Sequence, residues 1–166
     1  PYFEIILNSD IKNINQEIFS NFNLSQLLTM KDFIKKLNSR ININFKSRKF
    51  SNTFINDISL KTKLEIGRLS FSKTSSIINS NTICKGEVNL LEDFPIIDFD
   101  CSLTSPDKKK FLKKLDIDYK KENESFYLSL RGKLNILKNK VNIDYLKMNN
   151  YEASTEDLKY FKNIFE

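Results

Sequence analysis

The side chains that most often carry catalysis are sparse in this chain. The sequence contains no histidine, the side chain whose pKa suits proton transfer near neutral pH. Its three glycines, Gly67, Gly86 and Gly132, stand apart, so none belongs to a glycine-rich loop that could cradle a phosphate. These absences remove most catalytic triads and most zinc sites. We therefore expect a binding or structural protein rather than an enzyme, without catalytic residues, cofactor or metal.

Two pairs of carboxylates are the acid clusters that a hydrolase could use. They are Glu92 with Asp93, and Asp98 with Asp100. Asp98 and Asp100 are two residues apart in an alternating segment, so both lie on the polar side of a predicted strand. Surface carboxylates seldom act in catalysis, and a solvated or ion-paired face is the favoured interpretation.

A run of lysines places several cations on one short predicted helix: Lys108, Lys109, Lys110, Lys113 and Lys114. These side chains could meet phosphate groups of lipid or nucleic acid, but a solvated helix face is the simpler interpretation. No aromatic residues interleave with the lysines to stack on bases. The net charge of +6 is also moderate for 166 residues. We predict no nucleic-acid site here.

The two cysteines, Cys84 and Cys101, are too few to define a disulfide-rich scaffold. The core must then come from apolar packing. The cysteines could pair if their strands are neighbours, because the Cα atoms of a disulfide lie about 4.4–6.8 Å apart. The alternative is a pair of small buried apolar side chains, and the redox compartment stays open.

Alternation of apolar and polar residues is the strongest structural signal, and it predicts strands with one buried and one wet face. The clearest strand covers 126–136, in which Gly132 marks a bulge or a close backbone approach. A polar turn at 138–140 leads into 141–146, which completes a predicted hairpin. Further strands are predicted at 41–45, 58–66, 69–71, 83–91, 97–103 and 115–119.

Three helices interrupt this pattern. The first covers about 24–38, and a shorter helix between Ile11 and Phe22 can precede it. The second opens at Ser105-Pro106-Asp107 and runs through Lys114. The third covers about 155–166, with Ser154 as N-cap and an apolar stripe of Leu158, Phe161 and Phe165.

Strands joined by short polar turns, with no crossover helix in most gaps, predict a mainly β (α+β) fold. We expect a long-stranded antiparallel meander sheet over about 40–148, curved into a groove, with the helices at its end or apolar face. Residues 1–166 are interpreted as a single incomplete segment of a larger β-rich domain. The chain opens on Pro1, and no C-cap follows its last helix, so we expect an excised piece.

The parity of four strands predicts one continuous apolar surface, because each set of alternating residues points to a single side. It is the candidate apolar groove or core face: Ile58, Leu60, Leu64, Ile97, Phe99, Leu103, Phe126, Leu128, Leu130, Leu134, Val141, Ile143 and Tyr145. An open groove for acyl chains and an ordinary closed core both fit this pattern.

Three stretches resemble the C-terminal region of AsmA-like proteins of Gram-negative bacteria. They are GEVNLLEDFP at 86–95, LRGKLN at 130–135 and YEASTEDLKYFK at 151–162, and the resemblance runs from about Leu24 to the end. It implies a periplasmic protein anchored in the inner membrane and related to TamB-type bridge-like lipid carriers. Such proteins are associated with phospholipid movement and outer-membrane biogenesis, and the family supplies no catalytic residues.

The expected partners are therefore phospholipid acyl chains, together with a membrane contacted through regions outside this segment. A protein–protein scaffold or adaptor without lipid carriage is the alternative function. A basic nucleic-acid-binding module ranks third.

Overall fold

The chain folds around one sheet whose strands follow one another in sequence order. A computed structural model describes residues 2–11, 29–46, 55–77, 79–114, 116–120 and 122–164. Within these ranges the strands are β1 (Phe3–Ile11), β2 (Leu37–Lys46), β3 (Ile55–Glu65), β4 (Arg68–Ile77), β5 (Ser80–Asn89), β6 (Ile96–Ser105), β7 (Phe126–Asn135), β8 (Lys140–Met148) and β9 (Tyr151–Glu152). The helices are α1 (Lys31–Ile34), α2 (Lys108–Lys114) and α3 (Thr155–Ile164). The predicted mainly β meander is confirmed.

All neighbouring strands from β2 to β9 are antiparallel, whereas β1 runs parallel to β2, from Phe3 opposite Leu37 to Ile11 opposite Phe45. The sequence did not predict β1, because Ile5, Ile6 and Leu7 are consecutive apolar residues without alternation. Ile11 was expected to start a helix, and it ends β1 instead; residues 12–28 lie outside the described ranges. Within the described chain β1 and β9 do not pair with each other, so the sheet stays open.

A two-residue hairpin turn joins β3 to β4 through Ile66 and Gly67. Both residues have positive φ, 45° and 79°, which is the geometry of a two-residue turn that matches the twist of the strands. Three other hairpin turns place asparagine at positive φ, at Asn79, Asn139 and Asn149. Asparagine tolerates this conformation better than most residues, so the Asn-rich composition supplies the turns that the scarce glycines do not.

Most of the buried apolar side chains form one cluster at one end of the sheet. Ile34 of α1 packs there with Leu64, Val88, Ile97 and the segment that follows β5, where Leu90 is only 1% exposed. The Lys31 ammonium donates to the Leu91 carbonyl at 3.3 Å and pairs with Asp93 at 3.1 Å, which ties α1 to that segment. This end of the sheet is a closed core.

The predicted first helix is wrong at its C-terminal boundary. Of the range 24–38, residues 24–28 are not described, Lys31–Ile34 is helical, and Leu37 already belongs to β2. The apolar residues Phe33, Ile34 and Leu37 fit helical spacing, but the parallel pairing of Leu37 with Phe3 extends the chain instead. Phe33 stacks against Phe3, with the ring centroids 6.0 Å apart.

The second helix ends at Lys114 as predicted, but its N-cap is Asp107 rather than Ser105. The Asp107 carboxylate accepts a hydrogen bond from the Lys110 amide at 2.8 Å, which is the bond an N-cap makes.

The N-cap of α3 is Ser154 as predicted, since its hydroxyl accepts a hydrogen bond from the Asp157 amide at 3.2 Å. The Tyr151 hydroxyl and Ser154 donate to the Asp157 carboxylate in return, which lowers its pKa. The described side chains do not include those of Phe161 and Phe165.

The strand predicted at 115–119 is wrong. The described residues 116–120 form no strand, and Asp116 has a φ of 59°. Tyr119 instead donates a hydrogen bond to Glu124 at 2.8 Å, and the Lys108 ammonium lies 4.7 Å from the centre of the Tyr119 ring. Lys108 also pairs with Glu124 at 2.6 Å, and this hydrogen bond raises the lysine pKa. These polar contacts fold the segment back on α2.

Cys84 and Cys101 form a disulfide. They stand directly opposite each other on β5 and β6, with their Cα atoms 4.1 Å apart. The question that the sequence left open is settled by the register, because two cysteines in a facing antiparallel pair are close enough to bond. The bond ties the middle of β5 to the middle of β6 on one face of the sheet.

We expect the double variant Cys84→Ala, Cys101→Ala to unfold more easily by about 3 kcal/mol, the loop-closure effect for a bridge of this span. The sequence separation is 17 residues. Urea unfolding followed by circular dichroism measures the difference. A reducing agent should lower the stability of the native sequence by the same amount as the double substitution, and it should leave the variant unchanged. If the native sequence is equally stable with and without the reducing agent, the bond is contradicted.

Gly132 is buried where β7 changes register against β8, which confirms the predicted bulge and close approach. An added Cβ would collide with the carbonyl oxygen of Asn142 and would lie 2.8 Å from the ring of Phe99. We expect Gly132→Ala to cost about 1–3 kcal/mol, because the backbone of β8 must move. The urea midpoint measures this, with Ser129→Ala on the same strand as control. If Gly132→Ala and Ser129→Ala unfold at the same urea concentration, the backbone at the bulge can move to accommodate the added Cβ, and the prediction is wrong.

Candidate functional site

The register of the sheet joins the predicted apolar sets into one surface, called here the apolar face. Leu103 of β6 stands opposite Leu128 of β7, which stands opposite Met148 of β8. Ile43 likewise stands opposite Leu60. Residues that face each other across antiparallel strands point to the same side. The predicted residues on this face are Ile58, Leu60, Leu64, Ile97, Phe99, Leu103, Phe126, Leu128, Leu130, Leu134, Val141 and Ile143.

Tyr145 is the one predicted residue that the structure places on the opposite side, called here the polar face. The register shift beside Gly132 leaves Asp144 as the extra residue and sets Tyr145 opposite Arg131. The Arg131 guanidinium lies 4.3 Å from the centre of the Tyr145 ring. Leu146 takes the position on the apolar face, opposite Leu130. The alternation along β8 does not reveal this one-residue bulge, because the bulge is defined only by the pairing with β7.

Burial varies along the apolar face. Leu64 and Ile97 (both 7% exposed) belong to the closed core, and Phe126 (6%) is buried at the other end, where its ring meets Phe111 of α2 edge-on at 5.4 Å. The remaining predicted residues of the face are half-buried: Ile58, Leu60, Phe99, Leu103, Leu128, Leu130, Leu134, Val141 and Ile143. The middle of the sheet therefore keeps apolar side chains partly accessible.

A row of alternating large and small residues crosses this middle zone. Phe71, Gly86, Phe99 and Gly132 stand opposite one another on β4 to β7. A Cβ on Gly86 would meet the Phe71 ring, and one on Gly132 would meet the Phe99 ring, so each phenyl ring lies over the neighbouring glycine. The rings cover backbone that would otherwise be open on this face.

Three polar side chains interrupt the apolar face beside this row. Lys73 stands opposite Leu60 on one side and Cys84 on the other, and Ser75 stands opposite Ile58 and Thr82. These residues were not predicted to lie on the face, because the strand was predicted only as far as Phe71. Continuing the alternation of Leu69 and Phe71 would have assigned Lys73 and Ser75 to the same face.

The polar face carries a cavity of about 980 Å³ that spans β2 to β8. Its charged lining side chains are Arg40, Lys61, Lys63, Lys85, Glu87, Asp98, Asp100, Arg131 and Asp144, with Ser70 and Ser72 between the lysines. Asp98 and Asp100 are exposed in it, and Asp98 lies 3.8 Å from Lys133. Among the described residues no group of three or more Cys, Asp or Glu is placed to hold a metal ion.

The other predicted charge clusters are spread over the surface. Asp93 pairs with Lys31, and Glu92 accepts a hydrogen bond from Asn89 at 3.2 Å. In α2 Lys109, Lys110, Lys113 and Lys114 are exposed, while Lys108 is paired with Glu124. The structure does not bring the acids and the lysines together into one site.

Comparison with known proteins adds no assignment. No protein-family model, no curated protein and no solved structure matches the chain. Within the described residues, no helix combines the length and the apolar composition that crossing a membrane requires. The AsmA-like resemblance therefore stays a prediction, and the apolar face is the candidate functional surface.

Proposed function

We propose that this chain is a non-enzymatic segment of a lipid-carrying β-sheet protein, in which the apolar face contacts phospholipid acyl chains. The supporting observation is the half-buried middle of that face, where Leu60, Leu103, Leu128 and Leu130 share one side of an open sheet. Apolar surface that stays partly accessible in this way is typical of interaction sites for apolar ligands. The proposal includes the AsmA-like placement, a periplasmic protein anchored in the inner membrane that serves phospholipid transport and outer-membrane biogenesis.

The Cys84–Cys101 bond supports an oxidising compartment for this proposal. Disulfides persist in the periplasm and are rare in the cytosol, where thiol systems keep cysteines reduced. The bond lies on the apolar face, in the row that also contains Leu130 and Leu146. It holds β5 and β6 in register, so the apolar side chains on both strands stay aligned.

Leu128→Lys tests the proposed lipid surface. Leu128 is half-buried between Leu103 and Met148, so a lysine can reach solvent and the sheet should stay folded. A charge in the path of acyl chains should lower lipid binding by about tenfold or more, since burying it beside them costs over 1.4 kcal/mol. Circular dichroism melting reports folding, and mass spectrometry of lipids retained after purification reports binding.

Two matched variants complete this test. Ser129→Lys adds the same charge to the next residue on the polar face, and it should leave lipid binding unchanged. Ile97→Lys buries the charge in the closed core, where Ile97 is 7% exposed, and it should unfold the domain. A folded Leu128→Lys protein that retains as much lipid as the Ser129→Lys protein would refute the proposal for this face.

A protein–protein scaffold is the second candidate function, and the outer edge of β1, which no other described strand pairs, favours it. Tyr2, Phe3 and Ile6 are 74%, 49% and 63% exposed on this edge. Edge strands are usually guarded by lysine, proline or a covering helix, and β1 has neither lysine nor proline. The other edge differs, because β9 pairs with the end of β8 and α3 contacts that strand.

We expect the protein to associate through β1 as its concentration rises, because unpaired strand edges pair with one another. Sedimentation velocity over a concentration series measures this, and Ile6→Lys should reduce the association since a lysine guards the edge. Ile6 lies on the polar face, so lipid contact is not altered. Asn150→Lys, in an exposed turn, is the control; a native protein that stays monomeric throughout would contradict the edge as an interface.

A further inference from the structure

Besides scattered hydroxyl side chains such as Ser39, Thr62 and Ser105, the apolar face contains a group of three neighbouring polar side chains that includes a charge, which the proposed acyl-chain contact does not explain. Lys73, Ser75 and Thr82 lie together on β4 and β5. Within the described parts of β1 to β8, Lys73 is the only charged residue that the register assigns to this face. Charged and hydroxyl groups on a lipid-facing surface weaken apolar contact, so their presence together suits a polar ligand group.

The two hydroxyls are buried and have no hydrogen-bond partner in the part of the chain that the structure describes. Ser75 is 7% exposed, and neither its Oγ nor the Oγ1 of Thr82 is bonded to any group in the structure. Buried hydroxyls are nearly always paired, and an unpaired one destabilises the fold. Ser75 and Thr82 stand directly opposite each other, and such facing residues have their Cβ atoms about 4.5–5.5 Å apart. The two donors can therefore reach one acceptor.

Lys73 adds a positive charge next to these hydroxyls. It lies two residues before Ser75 on the same face of β4, about 6.6 Å along the strand. The side chain is half-buried, and no ion pair joins it to any carboxylate in the described ranges. A lysine stem is long enough to bring its ammonium over the Ser75–Thr82 pair.

The surroundings of this group are apolar. Leu60 and Ile58 flank it on β3, and Leu103 and the Cys84–Cys101 bond flank it on the other side. An anion bound there would lie among hydrocarbon side chains, so a ligand that carries its own apolar chains fits better than a small hydrated ion. Two hydroxyls and an ammonium that converge from different directions suit the several oxygens of a phosphate.

The geometry points to a headgroup site: Lys73, Ser75 and Thr82 bind the phosphate of a glycerophospholipid whose acyl chains lie on the surrounding apolar face. This inference rests on the proposed function and goes beyond it, because it names the anionic group that fixes the lipid's position. The Lys73 ammonium pairs with the phosphate, and the hydroxyls of Ser75 and Thr82 donate to its oxygens. The acyl chains then run over the leucine-rich middle of the face.

The test compares two lipids that share acyl chains and differ in the phosphate. The protein, freed of lipid, is incubated with dioleoyl phosphatidic acid or with dioleoylglycerol in micelles of dodecyl maltoside, a detergent without phosphate, and bound lipid is measured by mass spectrometry after the micelles are removed. Wild type should prefer phosphatidic acid by about tenfold, which corresponds to one hydrogen bond to a charged group. Soluble glycerol 3-phosphate is titrated in parallel.

Lys73→Met removes the charge and keeps the length of the side chain. It should abolish the preference, while dioleoylglycerol binding stays as in wild type. Lys85→Met is the matched control, since Lys85 is an exposed lysine of β5 on the polar face. The double variant Ser75→Ala, Thr82→Val should melt at a higher temperature than wild type without lipid, yet bind less phosphatidic acid, because the unpaired hydroxyls are gone.

The outcomes separate this site from the wider function. If neither lipid binds wild type, lipid carriage and the headgroup site both fail. If both lipids bind equally and Lys73→Met changes nothing, lipid carriage stands and the headgroup site is wrong. A double variant that melts at a lower temperature would mean that water satisfies the hydroxyls, which also overturns the site. Binding of glycerol 3-phosphate alone, lost in Lys73→Met, would keep the anion site and overturn the lipid as its source.

Discussion

The cross-strand register is the constraint on which both faces of the sheet depend. Side chains alternate along each strand, so a slip of one residue between two neighbours would exchange their faces. From β2 to β7 the apolar side chains lie mainly on one face, as in the facing pairs Ile43–Leu60, Leu64–Leu69 and Leu103–Leu128. The two-residue turn at Ile66-Gly67 and the Cys84–Cys101 bond fix this register at two places. The apolar face is thus a consequence of pairing, rather than of any single residue.

Most of the sheet could be predicted from the sequence because its central strands alternate cleanly and are joined by short turns. The failures have local physical causes. β1 is a parallel edge strand with consecutive apolar residues, and neither its pairing nor its existence follows from periodicity. Tyr145 lies on the other face because β8 contains a one-residue bulge beside Gly132 of β7. The segment around Tyr119 alternates like a strand, but contacts with Lys108 and Glu124 hold it against α2.

The candidate site was only partly accessible to sequence reasoning for a related reason. The hydrophobic residues of the apolar face were predicted because they form the majority pattern of each strand. Lys73, Ser75 and Thr82 break that pattern, and a rule that searches for apolar alternation ends the strand where they begin. Their common location appears only when the register of β4 with β5 is known. Polar residues that interrupt an apolar face are therefore harder to find than the face itself, and more informative about its ligand.

The distribution of packing along the sheet explains why such a ligand site would lie in the middle. One end is closed by α1 and the segment after β5, and the other is covered by α2 at Phe126. Between them β4 and β5 carry the polar residues Lys73, Ser75 and Thr82 on the apolar face. The leucines of β6 and β7 offer apolar contact beside these polar groups. Polar recognition and apolar contact thus meet at the boundary between β5 and β6, the two strands that the disulfide joins.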